Sequence, residues 1–196
     1  MKRVLDVVVA SALLSFVWPL LLAISIAVLV TMGPPVLFRQ RRTGYGGRVF
    51  TLVKIRTMRS SQGVETDEMR MTGLGRLLRG LSLDEMPTLI NVIRGDMSLV
   101  GPRPLLPRYL DRYTSEQKRR HDVVPGVTGL AQVSGRNALT WEERFALDVW
   151  YVDHRSIGLD LWILWRTVGM VLSRRGVSHP GHATMPEFHG SGQTGR

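Results

Sequence analysis

No cysteine occurs in the sequence, and this absence excludes several kinds of chemistry. Without a thiol the chain has no disulfide, no thiolate zinc site and no cysteine nucleophile. Acidic residues are also scarce: 16 Asp and Glu stand against 26 Lys and Arg, which gives a formal net charge of +10. This excess of positive charge predicts a polyanionic partner, which would be nucleic acid, anionic lipid headgroups or a phosphate-rich substrate.

Charge is missing altogether between Val7 and Phe38, and Val7–Met32 is apolar almost throughout. As a helix, this apolar stretch would measure about 39 Å, more than the roughly 30 Å of a bilayer's hydrocarbon core. The sequence therefore predicts a membrane segment. A cleaved signal peptide is disfavoured, because the apolar run exceeds the usual length of roughly 7 to 15 residues and no clear A-x-A site follows it.

Proline interrupts this apolar segment near its middle. Pro19 cannot donate a hydrogen bond to the Ser15 carbonyl, so it favours a kink, and either half of the segment is too short to cross a bilayer alone. Basic residues flank the segment on both sides: Lys2, Arg3, Arg39, Arg41 and Arg42. Because basic residues are retained on the cytoplasmic side, a re-entrant helix that dips into the membrane and returns satisfies both flanks. A kinked span with a short basic tail is the alternative.

The middle of the chain alternates between turn signals and periodic apolar residues. Val49–Arg56 alternates as a strand does, and Thr43–Gly47 before it predicts a turn, since it lacks the Gly-Lys-Ser/Thr ending of a P-loop. The pattern predicts helices in four stretches: 74–78, 89–93, 104–120 and 141–154. Val124–Asn137 is rich in glycine and is predicted as a loop.

Apolar residues recur at helical spacing again between Ile157 and Leu172. Such a helix is too short to span a bilayer but suits the membrane interface, with Trp162 and Trp165 at headgroup level. An ordinary core helix is the alternative. The tail after Ser178 is rich in Gly, His, Pro and Ser and is expected to be disordered.

An adjacent acidic pair, Asp84 and Glu85, lies in this basic chain. Capping would explain it without any function: Ser82 with Glu85 three residues later fits S-x-x-E, and acids in a first turn complement the helix dipole. The surrounding residues favour chemistry instead, because guanidinium groups bind phosphate bidentately. The basic residues that could form such a cluster are Lys54, Arg56, Arg76, Arg79, Arg94 and Arg103.

A carboxylate in such surroundings can attack phosphorus and carry a phosphoryl group, as aspartyl-phosphate ATPases do. An ionised neighbour can hold Mg²⁺, which prefers oxygen ligands and bridges protein carboxylates to substrate phosphates. A helix N-terminus also favours ionisation, because it stabilises negative charge. Asp84 and Glu85 are therefore candidates both for catalysis and for a magnesium site.

Five sequence motifs, in this order and spacing, resemble those of the bacterial sugar transferase family, specifically the small monotopic polyprenyl-phosphate sugar-1-phosphate transferases. The motifs are KRVLD, FRQRRTGYGGRVFTLVKIRTM, LSLDEMPTLINVIRGDMSLVGPRP, PGVTGLAQVSGRN and WYVDHRS. The resemblance extends from Lys2 to Gly176. One departure concerns the re-entrant proline, which a serine precedes in the best-known small members, whereas this chain has Trp18 before Pro19 and its nearest serine at Ser15.

The resemblance implies a phosphoglycosyl transferase that works in two steps on a UDP-sugar and a polyprenyl phosphate, typically undecaprenyl phosphate. Asp84 would attack the donor, release UMP and carry the phospho-sugar, and Glu85 would help bind Mg²⁺ with Asp84. By position in the matching motifs, the phosphate-binding residues would be Lys54, Arg79 and Arg103. The residues near the nucleotide would be Gln132, Arg136 and Asn137.

The resulting expectation is an α/β, mostly helical protein at the cytoplasmic face of the bacterial inner membrane. Residues 1–38 would form a re-entrant membrane helix, residues 39–177 a small cytoplasmic catalytic domain with interfacial amphipathic helices, and residues 178–196 a disordered tail. Its partners would be the UDP-sugar, the polyprenyl phosphate and membrane lipids, without nucleic acid and with a homo-oligomer as an option. No motif identifies the sugar or the polyprenol.

Two other functions remain open from the sequence. A membrane-anchored, non-catalytic protein could use the same arginines to bind nucleic acid or anionic lipid. A nucleotide-sugar pyrophosphatase would release UMP without any polyprenyl acceptor.

Overall fold

The computed structural model describes residues 1–60, 66–135, 138–173 and 187–190. Its longest element is helix α1 (Lys2–Met32), which continues through Pro19. By length and composition alone, α1 is long and apolar enough to cross a membrane. Only four of its residues are buried, namely Asp6, Ala10, Ile24 and Val28. The helix therefore exposes most of its apolar surface.

The globular part, residues 37–173, is mostly helical, as predicted. After α1 its helices are α2 (Asp67–Arg70), α3 (Gly73–Gly80), α4 (Leu89–Arg94), α5 (Ser115–Lys118), α6 (Leu130–Ser134), α7 (Trp141–His154) and α8 (Ile157–Ser173). Short 3₁₀ turns cover Tyr45–Gly47, Leu83–Thr88, Pro107–Arg112 and Arg119–His121. The predicted helices over 141–154 and 157–172 are confirmed as α7 and α8.

Two small sheets complete the fold. Strands β1 (Leu37–Thr43) and β2 (Val49–Ile55) form an antiparallel hairpin. Strands β3 (Ser98–Val100) and β4 (Gly126–Thr128) pair in parallel. The alternation in residues 49–56 correctly predicts β2, but the prediction of an uninterrupted loop over 124–137 is wrong, because that range contains β4 and α6.

The helix predicted over 104–120 is also wrong as a single element. A 3₁₀ turn ends at Arg112, and Tyr113 and Thr114 then adopt extended backbone conformations. Thr114 starts the next helix with a capping box, in which its hydroxyl accepts from the Gln117 amide and the Gln117 side chain accepts from the Thr114 amide. The competing N-cap therefore divides a stretch whose apolar spacing suggested one helix.

The two halves of α1 pack against different parts of the globular core. Ala10 in the first half joins the main cluster, which includes Leu89, Val92 and Ile163. The second half packs through Ile24 and Val28 against Ile55 and Leu78, which form a separate buried cluster with them. No residue between Ala10 and Ile24 is buried, so the middle of the helix is its most exposed portion.

Both ends of α1 are bonded to the globular part. At the start, Lys2 pairs with Asp160 at 2.5 Å and Asp6 accepts hydrogen bonds from the Ser98 hydroxyl at 2.8 Å and the Leu99 amide at 3.2 Å. At the far end, the Arg56 guanidinium donates to the carbonyls of residues 32, 33 and 34. The same domain therefore holds both termini of the apolar helix.

Helix α8 packs into the core on one side and is exposed on the other. Ile163 is fully buried in the main core, as in an ordinary core helix. Its other side is apolar and exposed, because Leu161, Trp165 and Val168 keep 60%, 72% and 58% of their surface accessible. A second apolar surface is thus present in addition to that of α1.

Residues 187–190 differ from the expectation of a disordered tail. Phe188 is 2% exposed and packs among the aromatic rings of Tyr109, Tyr113, Trp141 and Phe145. Glu187 pairs with Arg108 at 3.0 Å and with Arg112 at 2.8 Å. Aromatic burial and these ion pairs together hold this short segment against the domain.

Candidate active site

The acidic pair lies in the 3₁₀ turn Leu83–Thr88, directly before α4. Ser82 precedes the turn in the left-handed backbone region, with φ of 55°, and its side chain makes no capping hydrogen bond. The capping box suggested by S-x-x-E is therefore wrong. The side chains of Asp84 and Glu85 instead lie in two different environments.

Glu85 is held by two cations from distant parts of the chain. The Arg103 guanidinium contacts both carboxylate oxygens, at 2.5 Å and 3.3 Å, and the Lys54 ammonium lies 2.5 Å from Oε1. Burial alone would raise the pKa of Glu85, but Arg103 and Lys54 outweigh it and hold the pKa well below the ordinary value. The site therefore favours the charged form of Glu85.

Asp84 has a different environment, although it is the adjacent residue. It is 7% exposed, and its carboxylate accepts no hydrogen bond from the part of the chain that the structure describes. Burial, and then the charge of Glu85, raises the pKa of Asp84 against the attraction of Lys54, Arg79 and Arg103. Its oxygen lone pairs remain available to attack an electrophile.

Arg79 ends helix α3 on the Asp84 side of the site. Its Nε donates to the Thr57 hydroxyl at 3.0 Å, and its Nη2 lies 3.0 Å from the Met58 sulfur. These contacts fix the guanidinium just beyond the end of β2, within electrostatic range of Asp84. Lys54, Arg79 and Arg103 are thus brought together with the acidic pair.

The other arginines of the predicted cluster lie elsewhere. Arg56 is used to bond the end of α1. Arg76 is exposed and donates to the Met71 carbonyl, and Arg94 is exposed at the end of α4. Arg56, Arg76 and Arg94 were predicted to join the cluster around Asp84, but in the fold they lie elsewhere.

The predicted nucleotide-side residues are only partly described. Gln132 lies on α6, and its side-chain oxygen and nitrogen are both buried without a hydrogen-bond partner among the described residues. It does not line the cleft around Glu85, although β4, just before α6, contributes Gly126 and Val127 to that cleft. Arg136 and Asn137 lie outside the described residues.

Asn91 is a fully buried positioning residue that the sequence analysis missed. Its Nδ2 donates to the Thr51 carbonyl at 2.8 Å and to Asp96 at 3.1 Å, and its Oδ1 accepts from the Val53 amide at 3.3 Å. These bonds hold α4 against β2 next to Lys54. A polar residue inside the apolar run LINVI was the available signal, since a buried amide needs partners.

Arg120 and Asp148 form a second positioning pair. Their side chains are 1% and 2% exposed and approach to 2.7 Å, and Arg120 Nη2 also donates to the Arg103 carbonyl at 2.8 Å. The pair therefore supports the backbone of a residue that binds Glu85. An acid on the buried side of α7 was the signal, because a buried charge requires a partner.

The carboxylates fit a magnesium ion that is bound largely by substrate. Among the described residues there is no group of three or more acidic or histidine ligands. Mg²⁺ needs no such cage, because it is usually held by one or two carboxylates, waters and substrate phosphates. Within residues 1–60, 66–135, 138–173 and 187–190, Asp84 accepts no hydrogen bond and Glu85 Oε2 has only the longer contact with Arg103, so both can supply an oxygen ligand.

Comparisons with known proteins identify the family of this chain. Residues 1–174 match the sequence profile described as bacterial sugar transferase. An uncharacterized sugar transferase, EpsL, from Bacillus subtilis is 50% identical and covers 98% of this chain and 97% of its own. A UDP-glucose:undecaprenyl-phosphate glucose-1-phosphate transferase from Caulobacter vibrioides is 42% identical over 88% of this chain and 70% of its own.

A third relative is the undecaprenyl-phosphate galactose phosphotransferase of Salmonella typhimurium. It is 36% identical over 90% of this chain, which corresponds to 41% of the longer relative. The match to the family profile covers nearly the whole chain, including α1, the acidic pair and the cleft. The chain therefore belongs to the bacterial sugar transferase family.

Proposed function

We propose that this transferase moves a sugar 1-phosphate from a UDP-sugar to a polyprenyl phosphate, such as undecaprenyl phosphate, and releases UMP. The observation that carries the proposal is the contrast within the acidic pair. Glu85 is fixed by Lys54 and Arg103, whereas the adjacent Asp84 is buried and accepts no hydrogen bond from the described residues. The names of the Caulobacter and Salmonella relatives support the same class of reaction.

The first step forms a covalent intermediate on Asp84. One carboxylate oxygen attacks the sugar-side phosphorus of the donor, and an aspartyl phosphate ester of the sugar forms. The bond between that phosphorus and the bridging oxygen breaks, and UMP leaves with the electron pair. Lys54, Arg79 and Arg103 compensate the negative charge on the phosphate oxygens.

The second step returns the enzyme to its starting state. An oxygen of the polyprenyl phosphate attacks the same phosphorus, the bond to Asp84 breaks, and the carboxylate is regenerated. The product is a polyprenyl diphosphate sugar. Mg²⁺ bound near the acidic pair would neutralise phosphate charge in both steps, while Glu85 keeps Lys54 and Arg103 in place between them.

The apolar surfaces explain how a lipid substrate reaches a cleft in the globular part. The domain holds both ends of α1, and the exposed middle of the helix carries Phe16 and Trp18. We infer that α1 enters the membrane at this exposed middle and returns, with the tryptophans of α8 at the interface. We infer that the catalytic domain lies on the cytoplasmic face, where a UDP-sugar is available.

The test is detection of the intermediate by intact mass. Purified protein is incubated with Mg²⁺ and a panel of UDP-sugars, which also identifies the sugar. We expect one UDP-sugar to add the mass of a phospho-sugar to the wild type and nothing to Asp84→Asn. UMP release that requires both substrates together, without any adduct, would instead favour direct transfer.

Two further results discriminate the alternatives. A nucleotide-sugar pyrophosphatase would release UMP continuously without polyprenyl phosphate, whereas the transferase would stop after one turnover without it. A non-catalytic binding protein would keep its ligand affinity in Asp84→Asn and form no product in either version; membership of a transferase family disfavours it.

A further inference from the structure

Arg42 lies in the cleft beside Glu85, but none of the roles above includes it. The cleft is lined by three cations, Arg42, Lys54 and Arg103, and by the carboxylate of Glu85. Among the described lining residues, positive charge is therefore in excess. An anionic ligand with charge on two phosphates would balance it.

Hydrogen bonds hold the Arg42 side chain in place, but one of its N–H donors has no acceptor among the described residues. Its Nη1 donates to the Pro104 carbonyl at 3.2 Å and its Nη2 to the Gln40 side-chain oxygen at 2.5 Å. Its Nε is buried and has no hydrogen-bond partner in the part of the chain that the structure describes. Leaving a buried donor unpaired costs free energy, so the site is more favourable when an acceptor enters it.

The electrostatic environment of Arg42 also favours an anionic ligand. Burial, and then repulsion by Arg103, lowers the pKa of Arg42 to about 10, although Glu85 attracts its charge. Two guanidinium groups are thus held close together at an incompletely neutralised site. Arrangements of this kind bind phosphate oxygens.

The hairpin places these cations in a defined order. Lys54 is paired with Phe38 and Arg42 with Phe50, so both lie on the same face of the hairpin, about 13 Å apart along the strands at the backbone. Arg79 is bonded to Thr57, beyond the Lys54 end of β2. Along the strand direction the order is therefore Arg79, Lys54 and Arg42.

Asp84 belongs to the first part of this row. Lys54 and Arg79 act electrostatically on Asp84, and Arg79 is bonded to Thr57 at the end of the row opposite Arg42. Arg42 is therefore at the end of the row of cations opposite Arg79. In an in-line displacement, the leaving group lies on the side away from the attacking atom.

We propose that Arg42 binds the nucleotide-side phosphate of the UDP-sugar and so holds the UMP leaving group. The inference rests on the proposed function and extends it to a residue with no assigned role. In the first step, negative charge develops on the oxygen that leaves with UMP, and the Arg42 guanidinium stabilises it there. The attacking oxygen of the polyprenyl phosphate does not need Arg42.

The primary measurement is equilibrium binding of UMP, which does not depend on any covalent step. We expect Arg42→Gln to raise the Kd for UMP at least tenfold, and Arg42→Lys, which keeps the charge, to recover part of that loss. The matched control is Arg48→Gln, because Arg48 is an exposed arginine in the turn of the same hairpin. Its Kd for UMP should match that of the wild type.

A second measurement separates the two half-reactions. Arg42→Gln should slow adduct formation from the UDP-sugar at least tenfold, and it should leave within twofold the rate at which isolated adduct is consumed by polyprenyl phosphate. The proposal is overturned if the Kd for UMP changes less than twofold. A slower second half-reaction would then indicate a residue that binds the acceptor. An unchanged second half-reaction would indicate a residue that only braces Pro104.

Folding defects are distinguished by the lysine variant. If Arg42→Gln does not fold, Arg42→Lys decides: a UMP affinity between that of the wild type and no binding supports the proposal, and unchanged affinity with a lower melting temperature overturns it. Failure of the proposed function looks different. In that case the wild type forms no adduct on Asp84, while the effect of Arg42 on UMP binding is still measured.

Discussion

The Arg103 guanidinium contacts both carboxylate oxygens of Glu85, at 2.5 Å and 3.3 Å, although 18 positions separate the two residues. Lys54 on β2 joins them from the other side. Three segments of the chain, the hairpin, the turn before α4 and the loop after β3, therefore meet at one carboxylate. Glu85 acts as the structural centre of the site as well as a candidate for binding metal.

Replacing Glu85 by Gln should destabilise the protein. The variant leaves two partly buried cations without their counter-ion, which we expect to lower the free energy of unfolding by about 2 kcal/mol. Denaturant unfolding in detergent measures the change. In the double variant Glu85→Gln with Lys54→Met, the cost should be smaller than the sum of the two single costs.

The control is Glu116→Gln, which removes an exposed acid paired with Arg119. Its effect should stay below about 0.5 kcal/mol, because exposed ion pairs contribute little. Additive costs in the double variant would show that Glu85 and Lys54 do not interact in solution, contrary to the contact in the structure.

Replacing Asp84 by Asn should have the opposite effect on stability. Burial and the neighbouring Glu85 disfavour the charged form of Asp84, so a neutral side chain of the same shape relieves an unfavourable interaction. We expect Asp84→Asn to stabilise the fold by about 1 kcal/mol while it abolishes adduct formation. Thermal unfolding and intact mass on the same preparation test both effects.

Asp111→Asn is the matched control, because Asp111 is exposed in another 3₁₀ turn, Pro107–Arg112. It should leave the melting temperature and adduct formation unchanged. A lower melting temperature for Asp84→Asn would indicate that the aspartate stabilises its turn, as in the capping interpretation, and would remove the argument for a functional carboxylate held at a cost.

How far the sequence alone leads depends on whether a feature is local. Helix α7 was predicted with its correct bounds, because its apolar spacing and its Thr140 capping box are contained in one stretch. The clustering of Lys54, Arg79 and Arg103 with the pair was also anticipated. Strand β1 was not, since its sequence LFRQRRT shows no apolar alternation and depends on pairing with β2.

Contacts between distant residues account for the other omissions. Asn91 reaches back 40 positions to the Thr51 carbonyl, and Arg120 reaches forward 28 positions to Asp148. Contacts between residues so far apart in the chain produce no periodic pattern in the sequence. The opposite error arose for Arg56, Arg76 and Arg94, which are near the pair in sequence or on the upstream strand but serve other contacts in the fold.

Breaking the buried pair of Arg120 and Asp148 should be costly from either side. Arg120→Met strands a buried carboxylate, and we expect a loss of about 3 to 5 kcal/mol. The double variant Arg120→Met with Asp148→Leu removes both charges and should recover much of this loss. Its activity should nevertheless stay reduced, because the Arg103 carbonyl has lost its hydrogen bond from Arg120.

Unfolding free energies of the two singles and the double variant, with adduct-formation rates, test this expectation. Arg119→Met serves as the control, since Arg119 is the adjacent arginine and its ion pairs are more exposed. Full activity in the double variant would show that Arg103 is positioned without Arg120.

His121 gives the protein a defined pH dependence of stability. Its Nδ1 donates to the Gly44 carbonyl at 3.2 Å, and its ring lies beside Tyr113. Its Nε2 is buried and has no partner among the residues that the structure describes. Burial, and then the charge of Arg120, lowers the pKa of His121 from 6.5 to about 4, while Asp122 partly opposes this. The folded protein therefore keeps this ring neutral.

Because the unfolded chain takes up this proton near pH 6.5 and the folded chain only near pH 4, the stabilisation is complete above pH 6.5. It is lost as the pH falls towards 4, by about 2 to 3 kcal/mol. His121→Asn preserves an N–H donor for the Gly44 carbonyl and cannot take up the proton. The difference between wild-type and variant unfolding free energies, followed from pH 7.5 to 4, should shrink by this amount. A constant difference would mean that His121 titrates equally in both states and is not buried as the structure describes.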